Sequence, residues 1–235
     1  MIKLGNLVNE ESLTIFTDAS ISPNRDGTYY GCPGFVAVDA NGIIDSGYIV
    51  IDDTTSNNSE IKAIRMGVMA ANKYKEKYKY IRLFSDSQLC IFGLRDRFYS
   101  WFDNIYKGNL CGYNREPIAN QSIFIEIANF IVNNNLYIEF YHQKGHVSLT
   151  NPKQLYKAKE DFIKFNNLNS DVDIELIKWI SYYNNMVDQT SRDFLNKTLF
   201  QIPTSLSAIY TDACSFKIKN DFDIKGFYQN THNIK

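Results

Sequence analysis

Two runs rich in β-branched and apolar residues, 34–40 (GFVAVDA) and 43–51 (IIDSGYIVI), meet at Asn41-Gly42. Tight hairpins need positive φ in the turn, and Asn-Gly supplies it at little steric cost, so the two runs are tied together as adjacent antiparallel strands. Upstream, LTIFTD at 13–18 alternates strictly, with Thr14, Phe16 and Asp18 on one face and Leu13, Ile15 and Thr17 on the other. The turn-rich SPNRDG follows at 22–27, so this strand is read as ending at Asp18. Three antiparallel strands in series therefore open the chain, and such a sheet must cover its apolar face with another layer.

Helices supply that layer. Ile61, Ile64, Val68 and Ala71 recur at helical spacing through Lys75, and YIRLFSD at 80–86 is again a strand ending in an aspartate. Residues 87–102 read as helical with a break near Gly93, and 107–117 is Gly/Asn-rich and expected to be exposed. A helix over 118–132 carries Ile123, Ile127, Phe130 and Ile131 on one stripe, and a short strand follows at 136–141. Asn151-Pro152 reads as an N-cap and first helical residue, opening a helix to 165, and another runs over 172–196 until Pro203 closes the region. The expected fold is α/β: a mixed five-stranded sheet, three antiparallel then parallel strands, flanked by helices, with a helical insertion before the last helix. The domain reading is a catalytic unit over 1–200, containing an insertion at 147–183, and a C-terminal extension over 201–235.

Composition narrows the setting. With 44% hydrophobic and 22% charged residues among 235, the chain has the balance of a folded protein rather than a disordered one. Twenty-five Lys+Arg against 26 Asp+Glu leave a formal charge of -1, so attraction to a polyanion must come from a local patch. Cys32, Cys90, Cys111 and Cys214 form no C-x-x-C pair, which suits reduced thiols and a cytoplasmic setting. Glu10 and Glu11 interrupt the start, and no apolar run approaches the roughly twenty residues a membrane span needs, so the expectation is a protein neither exported nor embedded.

The chemistry lies in four acids: Asp18 and Asp86 at predicted strand ends, Glu60 near a helix start, and Asp188 in the last long helix. In an open α/β sheet such positions converge at one end. Carboxylates gathered there repel one another, and the usual remedy is a hard divalent cation, Mg²⁺ above all. Two such ions about 3.5–4 Å apart support phosphoryl transfer. Among 26 acids most are solvated surface charges; what distinguishes this set is T-D-A-S at 17–20, N-N-S-E at 57–60 and S-D-S-Q at 85–88, in that order and on those elements.

Together with P-I-A-N at 117–120, K-G-H at 144–146 and N-N-M-V-D at 184–188, these motifs resemble type 1 ribonuclease H over residues 13–197. The resemblance implies a ribonuclease H-like fold and an endonuclease that hydrolyses the RNA strand of RNA–DNA hybrids, leaving 3′-hydroxyl and 5′-phosphate ends. It implies that Asp18, Glu60, Asp86 and Asp188 bind two Mg²⁺ ions, with Mn²⁺ as a substitute, and that His146 lies on a mobile loop beside them. Substrate contacts fall to Ser20, Ser56, Asn57, Asn58, Asn120 and Lys144, with 2′-hydroxyls read in the minor groove. Residues 101–117 occupy the place of the family's basic protrusion, although only Lys107 and Arg115, beside Glu116, make it basic. The chain departs from the family at 147–183, where a helix-bearing segment replaces a short loop between the G-H pair and the final aspartate. Asn184, four residues before Asp188, supports that aspartate as the family's last ligand, and Ser56 stands where the family often has asparagine.

Other readings compete. A proofreading exonuclease carries D-x-E on its first strand, where position 20 here is serine. A transposase or integrase of the same fold would need a glutamate after the second aspartate, a part open to Glu126. A non-catalytic nucleic-acid-binding module has no use for a costly carboxylate cluster. His142 is a further candidate within the strand, while the cysteines and most aromatics are expected in the core. The segment 208–214 echoes 15–20, but too little chain follows Asp212 for a second site. Lys153, Lys157, Lys159 and Lys164 lie on the predicted helix 152–165, where Leu155, Tyr156, Phe162 and Ile163 would cover the domain; Glu160 and Asp161 make a plain solvated helix the default, and lysines facing a phosphate backbone are the alternative.

Overall fold

The computed structural model describes residues 1–24, 27–52, 54–201 and 222–232. Five strands, β1 (Ser12–Pro23), β2 (Tyr29–Asp39), β3 (Gly42–Tyr48), β4 (Tyr80–Ser85) and β5 (Glu139–His142), form one sheet in the order β3-β2-β1-β4-β5. β1, β2 and β3 are antiparallel, and β4 and β5 join parallel to β1, which is the mixture expected. The β2–β3 hairpin forms, but through one left-handed residue instead of two: Gly42 has φ 121°, and the Asn41 N–H donates to the Asp39 carboxylate at 2.8 Å.

The helices are α1 (Leu4–Leu7), α2 (Ser56–Tyr74), α3 (Gln88–Phe92), α4 (Phe98–Asp103), α5 (Gln121–Asn133), α6 (Pro152–Phe165), α7 (Ile174–Gln201) and α8 (Ile224–His232). The predicted break near Gly93 is a π-helical turn, Gly93–Arg97, between α3 and α4. A Cβ on Gly93 would stand 2.7 Å from the Phe124 ring and 2.8 Å from Trp101, so the close approach to α5 requires glycine. Alternation along β1 divides the interior. Leu13 and Ile15 join Leu83, α2 (Ile61, Ile64, Val68) and α5 (Phe124, Ile127, Ile131) on one face. Phe16 joins Phe84, Val36, α6 (Leu155, Phe162) and α7 (Ile177, Ile180) on the other. Each such large side chain, fully buried, contributes about 1.5–3 kcal/mol.

Several boundaries differ from the sequence reading. β1 continues to Pro23, because residues 19–23 pair with 29–33 of β2, a partner that local sequence does not reveal. Asp18 is thus not at a strand end, but the parallel ladder to β4 stops at Thr17↔Ser85, so Asp18 stands where β1 and β4 part. β3 stops at Tyr48, and α5 begins after Asn120, whose φ is 57°. In the 107–117 segment Leu110 and Cys111 are buried, and the Leu110 N–H donates to Gln121 at 2.8 Å, so this segment is not exposed throughout. Tyr156 points outward from α6 instead of covering the domain. α7 is not the final helix: α8 follows, with Phe227 in the first core and the Asn230 carbonyl accepting from Ile138 N–H at 2.9 Å. Pro203, Asp212 and Cys214 lie outside the described residues. Among those residues, no helix is long and apolar enough to cross a membrane.

Candidate active site

Asp18 lies on β1, Asp86 directly after β4 and Glu60 in the second turn of α2. The β1/β4 register sets the two aspartates side by side. α2 is drawn onto the sheet at Gly67, where a Cβ would meet Thr17 at 2.7 Å and Leu83 at 2.9 Å, and this close packing carries Glu60 over the strand ends. One oxygen from each of Asp18, Glu60 and Asp86 lies within 4.8 Å of the others. Asp18 Oδ1 accepts from Ala19 N–H at 2.7 Å, but Asp18 Oδ2 and Glu60 Oε2 are buried with no hydrogen-bond partner. Burying carboxylate oxygens without partners is costly and favours the neutral acid. Burial, then the charge of Asp86, pushes Asp18 up to about 8, against the pull of the Ala19 N–H. Burial and Asp18 raise Glu60 well above its ordinary range, and burial raises Asp86 despite His146 and Asn184.

Asp188 approaches from α7. A single guanidinium nitrogen, Arg192 Nη2, lies 2.8 Å from both of its oxygens. Ser20 Oγ is 3.5 Å from Asp188 Oδ1 and 3.3 Å from its carbonyl, and His146 Nδ1 is 3.4 Å from Oδ2. The segment 147–183 therefore leaves His146 beside Asp188. His146 has φ 53° and a side chain 72% exposed. The glycine of K-G-H has a steric reason: a Cβ on Gly145 would fall 2.0 Å from Asp86 Oδ2.

The predicted substrate residues divide. Ser56 and Asn57 are exposed on the first turn of α2, and Thr55 caps that helix by accepting from Asn58 N–H at 3.2 Å. Asn58 Nδ2 donates to Asn120 Oδ1 at 3.0 Å, joining two of the predicted residues across the site. Ser20 is buried and turned to Asp188, and Lys144 pairs with Asp161 at 3.5 Å. His142 is buried, its Nε2 3.2 Å from the Asp86 carbonyl and its ring edge-on to Phe165, and burial lowers its pKa. Glu126 is paired with Arg65 at 2.6 Å and takes no part in the cluster. Sequence reasoning missed Arg192; its signal was the spacing of four from Asp188, which places both on one helical face. It also missed Asn166, whose amide pairs with the main chain of His142, and no sequence signal marks that contact.

A five-stranded mixed sheet of this order, with carboxylates gathered where the parallel strands end, defines a ribonuclease H-like protein. The ribonuclease H family model matches residues 10–155, and the chain belongs to that family. No curated protein matches the sequence. Among solved structures the chain is similar to the foamy viral protease-reverse transcriptase in complex with an RNA/DNA hybrid, at 15% identity and TM-score 0.48, over 67% of this chain and 20% of that one. It thus spans a fifth of that viral chain. It is also similar to the PFV ribonuclease H domain, at 18% identity and TM-score 0.48, over 68% of this chain and 96% of that one. Ribonuclease H1 from the halophilic archaeon Halobacterium salinarum matches at 18% identity and TM-score 0.40, over 56% of this chain and 85% of that one.

Proposed function

We propose that this chain is an endoribonuclease that hydrolyses the RNA strand of RNA–DNA hybrids using two divalent cations, Mg²⁺ or its substitute Mn²⁺. The observation that carries this is the pair of buried, unpartnered oxygens, Asp18 Oδ2 and Glu60 Oε2, in a cluster with Asp86. Hard cations take such oxygens, and no lysine or arginine nitrogen is hydrogen-bonded to either. When bound, the ions supply a polarised phosphoryl oxygen and a water of lowered pKa. Asp18, Glu60, Asp86 and Asp188 would hold them.

The chain's own residues do the rest. Ser20 orients Asp188 through its hydroxyl. His146, with Nδ1 turned to Asp188, offers Nε2 to carry a proton as water adds to phosphorus and the 3′-oxygen leaves. The products are a 3′-hydroxyl and a 5′-phosphate. Ser56, Asn57, Asn58 and Asn120 form the polar edge that meets 2′-hydroxyls. Lys144 contributes positive charge near the backbone, moderated by Asp161. In this reading residues 1–200 are the catalytic unit. Cys32, Cys90 and Cys111 are free and buried, which accords with a reducing, cytoplasmic setting.

The test uses labelled RNA–DNA hybrid, duplex RNA and duplex DNA, each with Mg²⁺ and with chelator. Cleavage confined to the RNA of the hybrid and abolished by chelator is expected. Equal cutting of duplex DNA would overturn the assignment in favour of a DNA-processing enzyme of the same fold, and no cutting of any substrate would favour a binding module.

A further inference from the structure

The stretch that carries His146 runs counter to α6 and is tied to it and to the residue just past it by side-chain contacts. At one end the Asn166 side chain, just past α6, pairs with the main chain of His142: Oδ1 accepts its N–H at 2.9 Å and Nδ2 donates to its carbonyl at 2.7 Å. Next, Lys144 Nζ meets Asp161 at 3.5 Å. The Val147 side chain is buried in the same apolar cluster as Leu155. At the other end, the Ser148 N–H donates to Gln154 Oε1 at 2.9 Å. The order 142, 144, 148 thus meets 166, 161, 154. α7 holds the stretch from a second side, where Asn184 accepts from the Gln143 amide and Asn185 Nδ2 donates to the Val147 carbonyl at 2.9 Å.

Between these anchors His146 adopts φ 53°, a left-handed conformation that a residue with a side chain keeps only where its surroundings over-determine it. We infer that α6 is an internal splint: Asn166, Asp161 and Gln154 are positioning residues that hold the 142–148 stretch so that the His146 imidazole is presented beside Asp188. The helix-bearing departure from the family pattern thereby acquires a role in presenting His146. A loop left to itself would lose this conformation to many others, and every such state removes the imidazole from the reacting centre. The inference rests on the proposed function in one respect, that His146 contributes to turnover.

The experiment is run on the full chain. Gln154 is exposed and Asp161 half-buried, so Gln154→Ala with Asp161→Ala loosens the splint without opening the core. Asn166→Ala is kept as a second variant because Asn166 also holds Arg95 at 2.8 Å. Amide hydrogen exchange over 143–148 should quicken by about tenfold or more in the double variant, with β1 and β4 unchanged. Turnover on labelled hybrid should fall by roughly tenfold or less with no rise in KM, since losing Asp161 also frees the charge of Lys144. In a His146→Ala background the double variant should cause no additional loss, the mark of residues acting through one another. Gln154→Glu alone, which keeps an acceptor for the Ser148 N–H and leaves Asp161 in place, should hold both readouts at the parent's values. Unchanged exchange over 143–148, or a turnover loss that adds in full to that of His146→Ala, would overturn the splint. If exchange quickens while His146→Ala retains full turnover, the splint stands and the role given to His146 fails.

Discussion

Asp18, Glu60 and Asp86 sit on the sheet and on α2, where Asp18 is 4% exposed and two oxygens of the group have no hydrogen-bond partner. Asp188 and His146 sit on α7 and on the loop beside it, where Arg192 meets both carboxylate oxygens and the imidazole is largely in solvent. The first group carries repulsion and burial that its fold relieves only in part, while the second has a guanidinium of its own in contact. A buried carboxylate cluster can relieve its repulsion by taking up protons or, as proposed, cations, while a compensated carboxylate at the rim can exchange one partner for another.

The largest effects should come from the buried group. Asp18→Asn or Asp86→Asn should cut hybrid cleavage by orders of magnitude, and the chelator-treated variant should melt above the chelator-treated parent because a carboxyl that is costly to bury, and that repels its neighbours when ionised, is gone. A near-normal rate would break the comparison. The pH dependence has a definite sign. Folding raises Asp18 from its ordinary 3.8 to about 8, so between those values the folded chain binds more protons than the unfolded one. The parent in chelator should therefore lose stability as pH rises through this window, and Asp18→Asn should flatten the curve of Tm against pH.

His146→Ala comes next, with a loss of turnover of roughly 10²-fold or less, the scale of an acid–base helper, read from kcat on the hybrid. Arg192→Ala removes a half-exposed competitor for Asp188, so Mn²⁺ titration should show tightening by about fivefold at most, in keeping with a rim ion pair worth roughly 1 kcal/mol or less. No change, together with weakened binding in Asp188→Asn, would show that Arg192 does not compete there. The smallest effect belongs to α6. Lys157 and Lys159 are already paired, with Asp161 at 2.9 Å and Asp171 at 2.8 Å, leaving Lys153 and Lys164 as the better backbone contacts. Lys153→Gln with Lys164→Gln should lower the salt slope of hybrid affinity by about two at most, at unchanged saturated rate.

Much of this molecule was written locally. The alternation at 13–18 separates Leu13 and Ile15 from Phe16, and the two cores form on those two sides because a strand's side chains must point to opposite faces. Asn151-Pro152 opens α6 at the residue expected, because an N-cap and a proline at the first helical position act over a few bonds: Asn151 Oδ1 accepts from Lys153 N–H at 3.1 Å and from Gln154 N–H at 3.3 Å. Asp18, Glu60 and Asp86 were legible because each lies in or directly after an element whose period is visible, although Asp18 stands within β1 and not at its end. Other features rest on partners far along the chain. β1 runs past Asp18 only because β2 offers it hydrogen bonds, Asp188 meets Ser20 only because α7 packs on β1 and β2, and α8 enters the core through Phe227. The 142–148 stretch lies on α6 by contacts such as Asn166 to His142, which have no period and no motif. Local propensity acts within a few residues, whereas register, burial and the meeting of charges are settled only when the sheet and its two helical layers close on one another.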